Sequence, residues 1–537
     1  MPLFRHGLVA VFLLSALAAA ASDGPPHRCG FSDPSHTLRI QRLEGGLVLA
    51  SDRPVGLDLR ADDPRGRFRI HYTLTGPNAV PRADANANGI PDYVDAGLEA
   101  LDLAFRVQID SMGFRPPPSD NTDGGSPALD VYMVDLSKAG QAGTGLYGVT
   151  RPDRILTSAG GVTKYTSFIE VDNDFAESDR NVFGRQPFAT FGVDALKATC
   201  VHEFHHTVQI GAYALGTREL MMYEMTATWM ELRLYPEIRD WAVYLGQLLR
   251  QPSGYPFSRS DASNGYPWGW FGNELSSRFG DAIIVDIWNR IGTGTRPFLA
   301  LVEACDSRGA AFADIFCQSL STLYRTGSRA RPGGTIPGAN ELPEIAMAVD
   351  VLAIPPAVPV TGSLTPFEVR GFRFTIPADP NNVISTVLLS NTDVTALVNS
   401  SDPSSADYAF TVVSGPAQWD QQIVGTTWGL RFDLNKPCSF VDGVAPVASI
   451  GPFPQPARRS EHSVVWLPVT SAAPGSRIDV LVTTTANTPV VSFTAMAELR
   501  GSVVAVPWTL GRELPTGLYV ATVRHNDDVS LHKVVVR

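Results

Sequence analysis

His202-Glu203-Phe204-His205-His206 fits the pattern H-E-x-x-H, and a helix is the form in which that spacing carries chemistry. Successive helical residues turn by about 100°, so His202 and His206 stand one turn apart on nearly the same face. Both imidazoles can then reach one metal ion. Glu203 projects beside them, displaced enough to miss the ion and face a water bound to it. Val193, Leu196, Cys200, Val201, Phe204 and Val208 give this helix, expected over 193–213, an apolar face. His205 points away from the pair and is read as packing or solvated.

A catalytic zinc takes three protein ligands and keeps a fourth position open for water. Glu219, Glu224 and Glu231 all fall on the next expected helix, 219–234. Glu224 follows His206 by 18 positions, which suits a helix, a turn and a return helix, and is assigned as the third ligand. Glu231 shares its face and is read as a carboxylate that orients an imidazole N–H, or as a surface ion-pair partner. Zinc held there polarises a carbonyl and lowers the pKa of its water toward neutrality. Glu203 is then the expected general base. Tyr266 is the candidate donor to the developing oxyanion, with Tyr255 behind it; ordinary packing with a satisfied hydroxyl is the competing reading for both.

His202-Glu203-Phe204-His205-His206-Thr207-Val208-Gln209 with Glu224-Met225-Thr226-Ala227-Thr228-Trp229-Met230-Glu231 resembles the gluzincin metallopeptidases. More narrowly, it is similar to a group of secreted metalloproteases of myxobacteria and relatives, in which the first motif usually reads H-E-F-F-H-x-V-Q and the second E-A-T-A-T-W-M-E. Here His205 replaces an aromatic residue and Met225 an alanine, and neither is a proposed ligand. The resemblance spans about residues 67–325. It implies a zincin fold: a mixed twisted sheet with an edge strand above the active-site helix, then a helical lower half.

A second metal signal lies upstream. Asp84, Asn86, Asn88, Asp92 and Asp95 fall at positions 1, 3, 5, 9 and 12 of a calcium-type loop, with Gly89 at the sharp turn and Ile90 offering its carbonyl. Asp95 stands where Glu is usual, and no helix precedes the loop. A structural Ca2+ is expected there; a polar turn is the alternative. Asp172-Asn173-Asp174 reads as a turn.

Outward from these motifs, alternation marks strands at 68–74, 129–134 and 168–171, and spacings of three and four mark a helix at 93–112. Residues 326–343 are rich in Gly and Pro and are expected to be a linker. Beyond them short strand-like runs between turn residues have the texture of β-sandwiches. The layout read from the chain is a signal peptide at 1–21, an N-terminal arm or propeptide at 22–66 and an α+β zincin-like domain at 67–325. A β-sandwich-like domain at 344–455 and an immunoglobulin-like β domain at 456–537 then follow the linker. The last ends in a hairpin turning near Asn526-Asp527.

The charge balance, 43 − 54 = −11, disfavours nucleic acid and polybasic membrane contact, which need a positive face. The leader implies export, to the exterior or the cell surface, and no segment is apolar over a membrane-spanning length. Export permits disulfides. Of five cysteines, Cys305 is expected to pair with Cys317 and Cys29 with Cys438, leaving Cys200 as a buried thiol. The function these signals favour is a secreted zinc endopeptidase acting on protein or peptide. The C-terminal β domains would bind substrate or cell surface. The alternatives are a non-catalytic, calcium-stabilised binding or adhesion protein, and a zinc amidase acting on a non-protein amide.

Overall fold

The computed structural model describes Cys29, Gly30 and residues 53–537, apart from 141–142, 160–161, 217, 353–357, 376–383, 417–427, 443–455, 461, 470–471, 486–487, 501–502, 512 and 527. The expected leader and most of the stretch before Arg53 lie outside the described residues. The chain is mixed α+β and divides into two compact units. One comprises Met1–Ile354, Val360–Thr411 and Asp433–Val444, the other Pro355–Pro359, Val412–Phe432 and Ala445–Arg537. No helix among the described residues is long and apolar enough to cross a membrane.

The first unit is built on five strands: β1 (Leu59–Asp62), β2 (Phe68–Tyr72), β3 (Leu129–Val134), β4 (Gly148–Ala159) and β5 (Val162–Asp172), in the order β1-β2-β3-β5-β4. β2, β3 and β5 run parallel, and β4 returns antiparallel to β5 to form one edge. Parallel neighbours need a long crossover, and helix α1 (Asp92–Phe105) lies in the connection from β2 to β3. Phe68, Ile70, Val131, Met133, Ile169 and Val171 alternate onto one sheet face and are buried. Gly97 of α1 sits so close that a Cβ would come 3.1 Å from both Ile70 and Met133.

The helix carrying the metal motif, α2 (Gly192–Val208), packs on α1 and the sheet. Its β-branched Thr199, Val201, Thr207 and Val208 each cost up to about 0.7 kcal/mol of helix propensity against alanine. Burying a Val, Leu or Phe side chain is worth roughly 1.5–3 kcal/mol, and Leu196, Val201, Phe204 and Val208 are fully buried. Packing therefore decides the conformation. Val193, expected on the same face, is exposed at the helix start. Both α1 and α2 run on into wider π-type turns, Arg106–Ser111 and Gln209–Tyr213, which together cover most of the expected helical spans. Helices α3 (Met221–Leu234) and α4 (Asp240–Arg250) begin a helical half that continues through Phe271–Phe279, Ala282–Ile291, Pro297–Asp306 and Phe312–Tyr324.

Residues 326–343 are packed rather than loose: Ile336 and Leu342 are buried, and Arg239 and Asn273 donate to the carbonyls of Gly338 and Thr335. A four-stranded sheet, ordered Pro437–Asp442, Ile384–Asn391, Arg370–Thr375 and Val349–Leu352, belongs to the same unit. It is bound covalently to the helical half, and neither expected cysteine pair forms. Cys317 on Phe312–Tyr324 joins Cys438 on the first of these strands, with Cα atoms 5.5 Å apart. Cys305 lies on Pro297–Asp306 with its side chain in the core, and Cys29, Cys200 and Cys305 remain buried thiols. The disulfide is separated by 121 residues in sequence, and removing a native bridge that closes so long a loop typically costs about 2–5 kcal/mol. Cys317→Ser with Cys438→Ser is expected to lose that much in equilibrium urea unfolding. An unchanged midpoint would mean that the bridge constrains nothing.

In the second unit two antiparallel sheets share one core. Val464–Pro468, Val503–Thr509 and Glu498–Arg500 form one; Pro489–Met496, Arg477–Thr484, Gly517–His525 and Asp528–Val536 form the other. Val465, Leu467, Val480, Val482, Trp508, Val523 and Val534 fill the space between them. The expected terminal hairpin is present, with Asn526 at φ 55° in its turn.

Candidate metal centre

The side chains of α2 and α3 converge. His202 Nε2 lies 3.1 Å from His206 Nε2 and 3.0 Å from Glu224 Oε2, and His206 Nε2 lies 3.4 Å from the same oxygen. Ligands about 2.0–2.1 Å from a tetrahedral zinc stand about 3.3 Å from one another, so these three atoms have the separation of one ion's ligands. All three residues are buried, and Glu224 Oε1 has no hydrogen-bond partner among the described residues. A buried carboxylate oxygen without a donor is costly unless a cation satisfies it.

The far side of each imidazole is held. His202 Nδ1 meets Glu231 Oε1 at 2.5 Å, and His206 Nδ1 meets Gln209 Oε1 at 2.6 Å. Oxygen acceptors there hold a ring proton on Nδ1 and turn both Nε2 atoms toward the centre. Gln209 is fixed in turn, donating through Nε2 to Tyr223 O and Thr226 Oγ1 on α3, each at 3.0 Å. Burial opposes charge on His202, yet the Glu224 and Glu231 carboxylates outweigh it and raise the imidazole to about 10. Against burial, His206 and His202 pull Glu224 down to about 2. The cluster thus favours positive charge at its centre.

Glu203 stands beside these residues. Its Oε2 accepts from Thr150 Oγ1 of β4 at 2.7 Å. Close approach of strand and helix requires Gly148, where a Cβ would fall 2.9 Å from Glu203 Cγ and 2.7 Å from Thr199 Cγ2. His205 packs edge-on against Phe114 and Trp288 and reaches Gln108 Oε1 through Nδ1 at 2.8 Å. Burial, then the two neighbouring histidines, hold it well below the usual imidazole range, so it is neutral packing. Glu219 is excluded as a ligand, since its oxygens accept from Arg296 and from Phe298 N.

Tyr266 comes from the short turn Tyr266–Trp268, which Gly265 lets press against α3; a Cβ there would lie 2.5 Å from Glu224 Cβ. The Tyr266 ring stacks on Tyr244 and lies 6.0 Å from the His202 ring, nearly parallel to it. Burial, then the charge of Glu224, raises its hydroxyl well above the usual phenol range, so it stays protonated. Tyr255 is turned elsewhere, its hydroxyl on Gln247 Oε1.

The fourth position departs from expectation. The Cys29 sulfur joins His202, His206 and Glu224, all four ligand atoms lying within 4.8 Å of one another. These four residues can hold a metal ion. Cys29 N donates to Tyr266 Oη at 3.1 Å, and Cys29 makes an isolated parallel bridge to Gly148. A fourth protein ligand atom thus stands close to the three where solvent alone was anticipated. The chain matches no protein-family model, no curated protein and no solved structure.

In the calcium-type loop Asn86 Nδ2 and Asn88 Nδ2 both donate to Asp95 Oδ2, at 3.0 and 2.9 Å. Asp84 accepts from the backbone N–H of Asn88 and Gly89, and Asp92 from that of Ala85. The side chains at positions 3, 5 and 12 thus converge at the start of α1. The turn at Asp172 also gathers Asp174 and Asp179. Burial raises Asp172 to about 7, although it accepts from the N–H groups of Leu136 and Phe175.

Proposed function

We propose that the chain is an exported zinc-dependent endopeptidase with a zincin-type catalytic core. The observation that carries the reading is the convergence of His202, His206 and Glu224, with Glu203 held beside them by Thr150. The mixed sheet whose antiparallel edge strand lies against α2 supports it. Zinc bound by the three residues would supply Lewis-acid polarisation of a peptide carbonyl and activation of water. Glu203 accepts the proton of the attacking water and returns it to the leaving nitrogen. Tyr266, protonated and adjacent, donates to the developing oxyanion once its hydroxyl is released from Cys29 N. Gln209 and Glu231 hold the imidazoles in the binding tautomer. At the loop 84–95 we propose a structural Ca2+ held by Asp84, Asn86, Asn88, Ile90, Asp92 and Asp95, supported by the side-chain convergence on Asp95.

The Cys29→Ala chain, whose fourth position is open to water, is the form on which to test this. It is expected to bind one zinc, to hydrolyse casein, to stop when a chelator strips the metal and to recover when zinc is restored. A chain that binds no zinc, or that hydrolyses equally well without it, would overturn the reading.

A second reading is favoured by Cys29. Four protein ligands around zinc are the mark of a structural site, and a closed Cys-His-His-Glu centre would make the chain a non-catalytic exported binding protein.

A further inference from the structure

Cys29 does two things at once. Its sulfur stands with the three ligand atoms, and its backbone pairs with Gly148 on β4, the edge strand of the sheet. An exposed sheet edge is where an extended peptide adds itself by main-chain hydrogen bonds. Gly30 continues along the same strand, so close that a Cβ there would lie 2.6 Å from Val149 Cγ2. Cys29 also takes up Tyr266, 237 residues downstream. One short segment thus reaches the candidate ligands, the strand edge beside them and the candidate oxyanion donor.

We propose that in the full-length chain the Cys29 thiolate is the fourth ligand of the bound zinc and keeps the peptidase latent. This rests on the metallopeptidase reading above. Thiolate is the form that binds metal, so ligation releases the thiol proton to solvent. When Cys29 leaves, water takes its place and the sulfur is reprotonated; nothing is oxidised or reduced. A purely structural site explains neither Glu203 nor Tyr266, since it has no use for a carboxylate and a phenol held against its ligands. The other three ligands lie on two packed helices, whereas Cys29 lies far upstream. Between the two, Arg53 is anchored by Asp120, Asp130 and Asp153, within reach of all three carboxylates and over the Phe168 ring. The chain from Arg53 onward therefore has its own attachment, independent of Cys29. Cys29 also follows the expected leader, so it stays on the exported chain.

The test compares full-length wild type with Cys29→Ala and Cys29→Ser, each loaded with zinc or with cobalt(II) as a spectroscopic substitute. Wild type is expected to hold one metal, to show a sulfur-to-cobalt charge-transfer band and to give one zinc–sulfur distance of about 2.3 Å by X-ray absorption. Both variants should keep one metal, lose the sulfur signal and hydrolyse casein about tenfold faster or more. That is the gain expected where fewer than about one wild-type chain in ten has its site open. The wild-type spectra do not depend on either variant folding. Metal bound in wild type by nitrogen and oxygen alone would overturn the role of Cys29 and leave the peptidase standing. A sulfur ligand whose removal brings no gain in hydrolysis would overturn latency in favour of a closed structural site. Failure of all three proteins to bind metal would overturn the metallopeptidase reading itself.

Discussion

Glu203→Gln, made in the Cys29→Ala chain, is expected to lose about 10²–10⁴-fold in casein hydrolysis while still holding one zinc. The two properties separate because Glu203 stands outside the converging ligands. Glutamine has the same shape, and its amide oxygen can still accept the Thr150 hydroxyl that now meets Glu203 Oε2 at 2.7 Å. The helix and its packing on β4 are thereby kept. What disappears is the capacity to take a proton from water. Undiminished hydrolysis would remove Glu203 from the chemistry; loss of zinc together with activity would place it among the ligands instead.

Glu224→Ala is expected to weaken zinc binding by more than the roughly 10–100-fold that follows loss of a partner behind a metal ligand. Made in the Cys29→Ala chain, it deletes the oxygen lying 3.0 and 3.4 Å from the two imidazole nitrogens and leaves two histidines to hold the ion. Glu231→Gln is the graded control. It touches His202 only through Nδ1, so its loss should fall within that 10–100-fold range. Competition against a chromophoric chelator measures both. Equal effects from the two variants would show that Glu224 acts from behind a histidine, as Glu231 does, and is not itself a ligand.

The parts of this site that a reader of the chain can find are those set by local geometry. His202 and His206 meet because four residues make one helical turn. Glu224 meets them because 18 residues suffice for a turn and a return. Gln209 was legible in principle, three positions after His206 on the same helix, where side chains are neighbours. Thr150 was not, because strand pairing and the glycine at 148 bring it to Glu203 from distant sequence. Cys29 was hidden for the same reason, and counting cysteines pointed it toward a disulfide. Connectivity does not follow from spacing: Cys305 and Cys317 are near in sequence but lie on different helices, and only the latter faces a strand that carries a cysteine. The apolar texture after residue 343 reads as β correctly, yet it says nothing about which body those strands join.

The bridge between Cys317 and Cys438 sets where the chain can be shortened. A protein ending at residue 343 would leave Cys317 without its mate and strip Phe367 from the rings of Phe312 and Phe316, which it meets at 5.2 and 5.0 Å. The smallest fragment able to keep the helical half whole therefore runs past Asp442. It must carry residues 344–442 as cargo, even though none of the four candidate ligands lies among them.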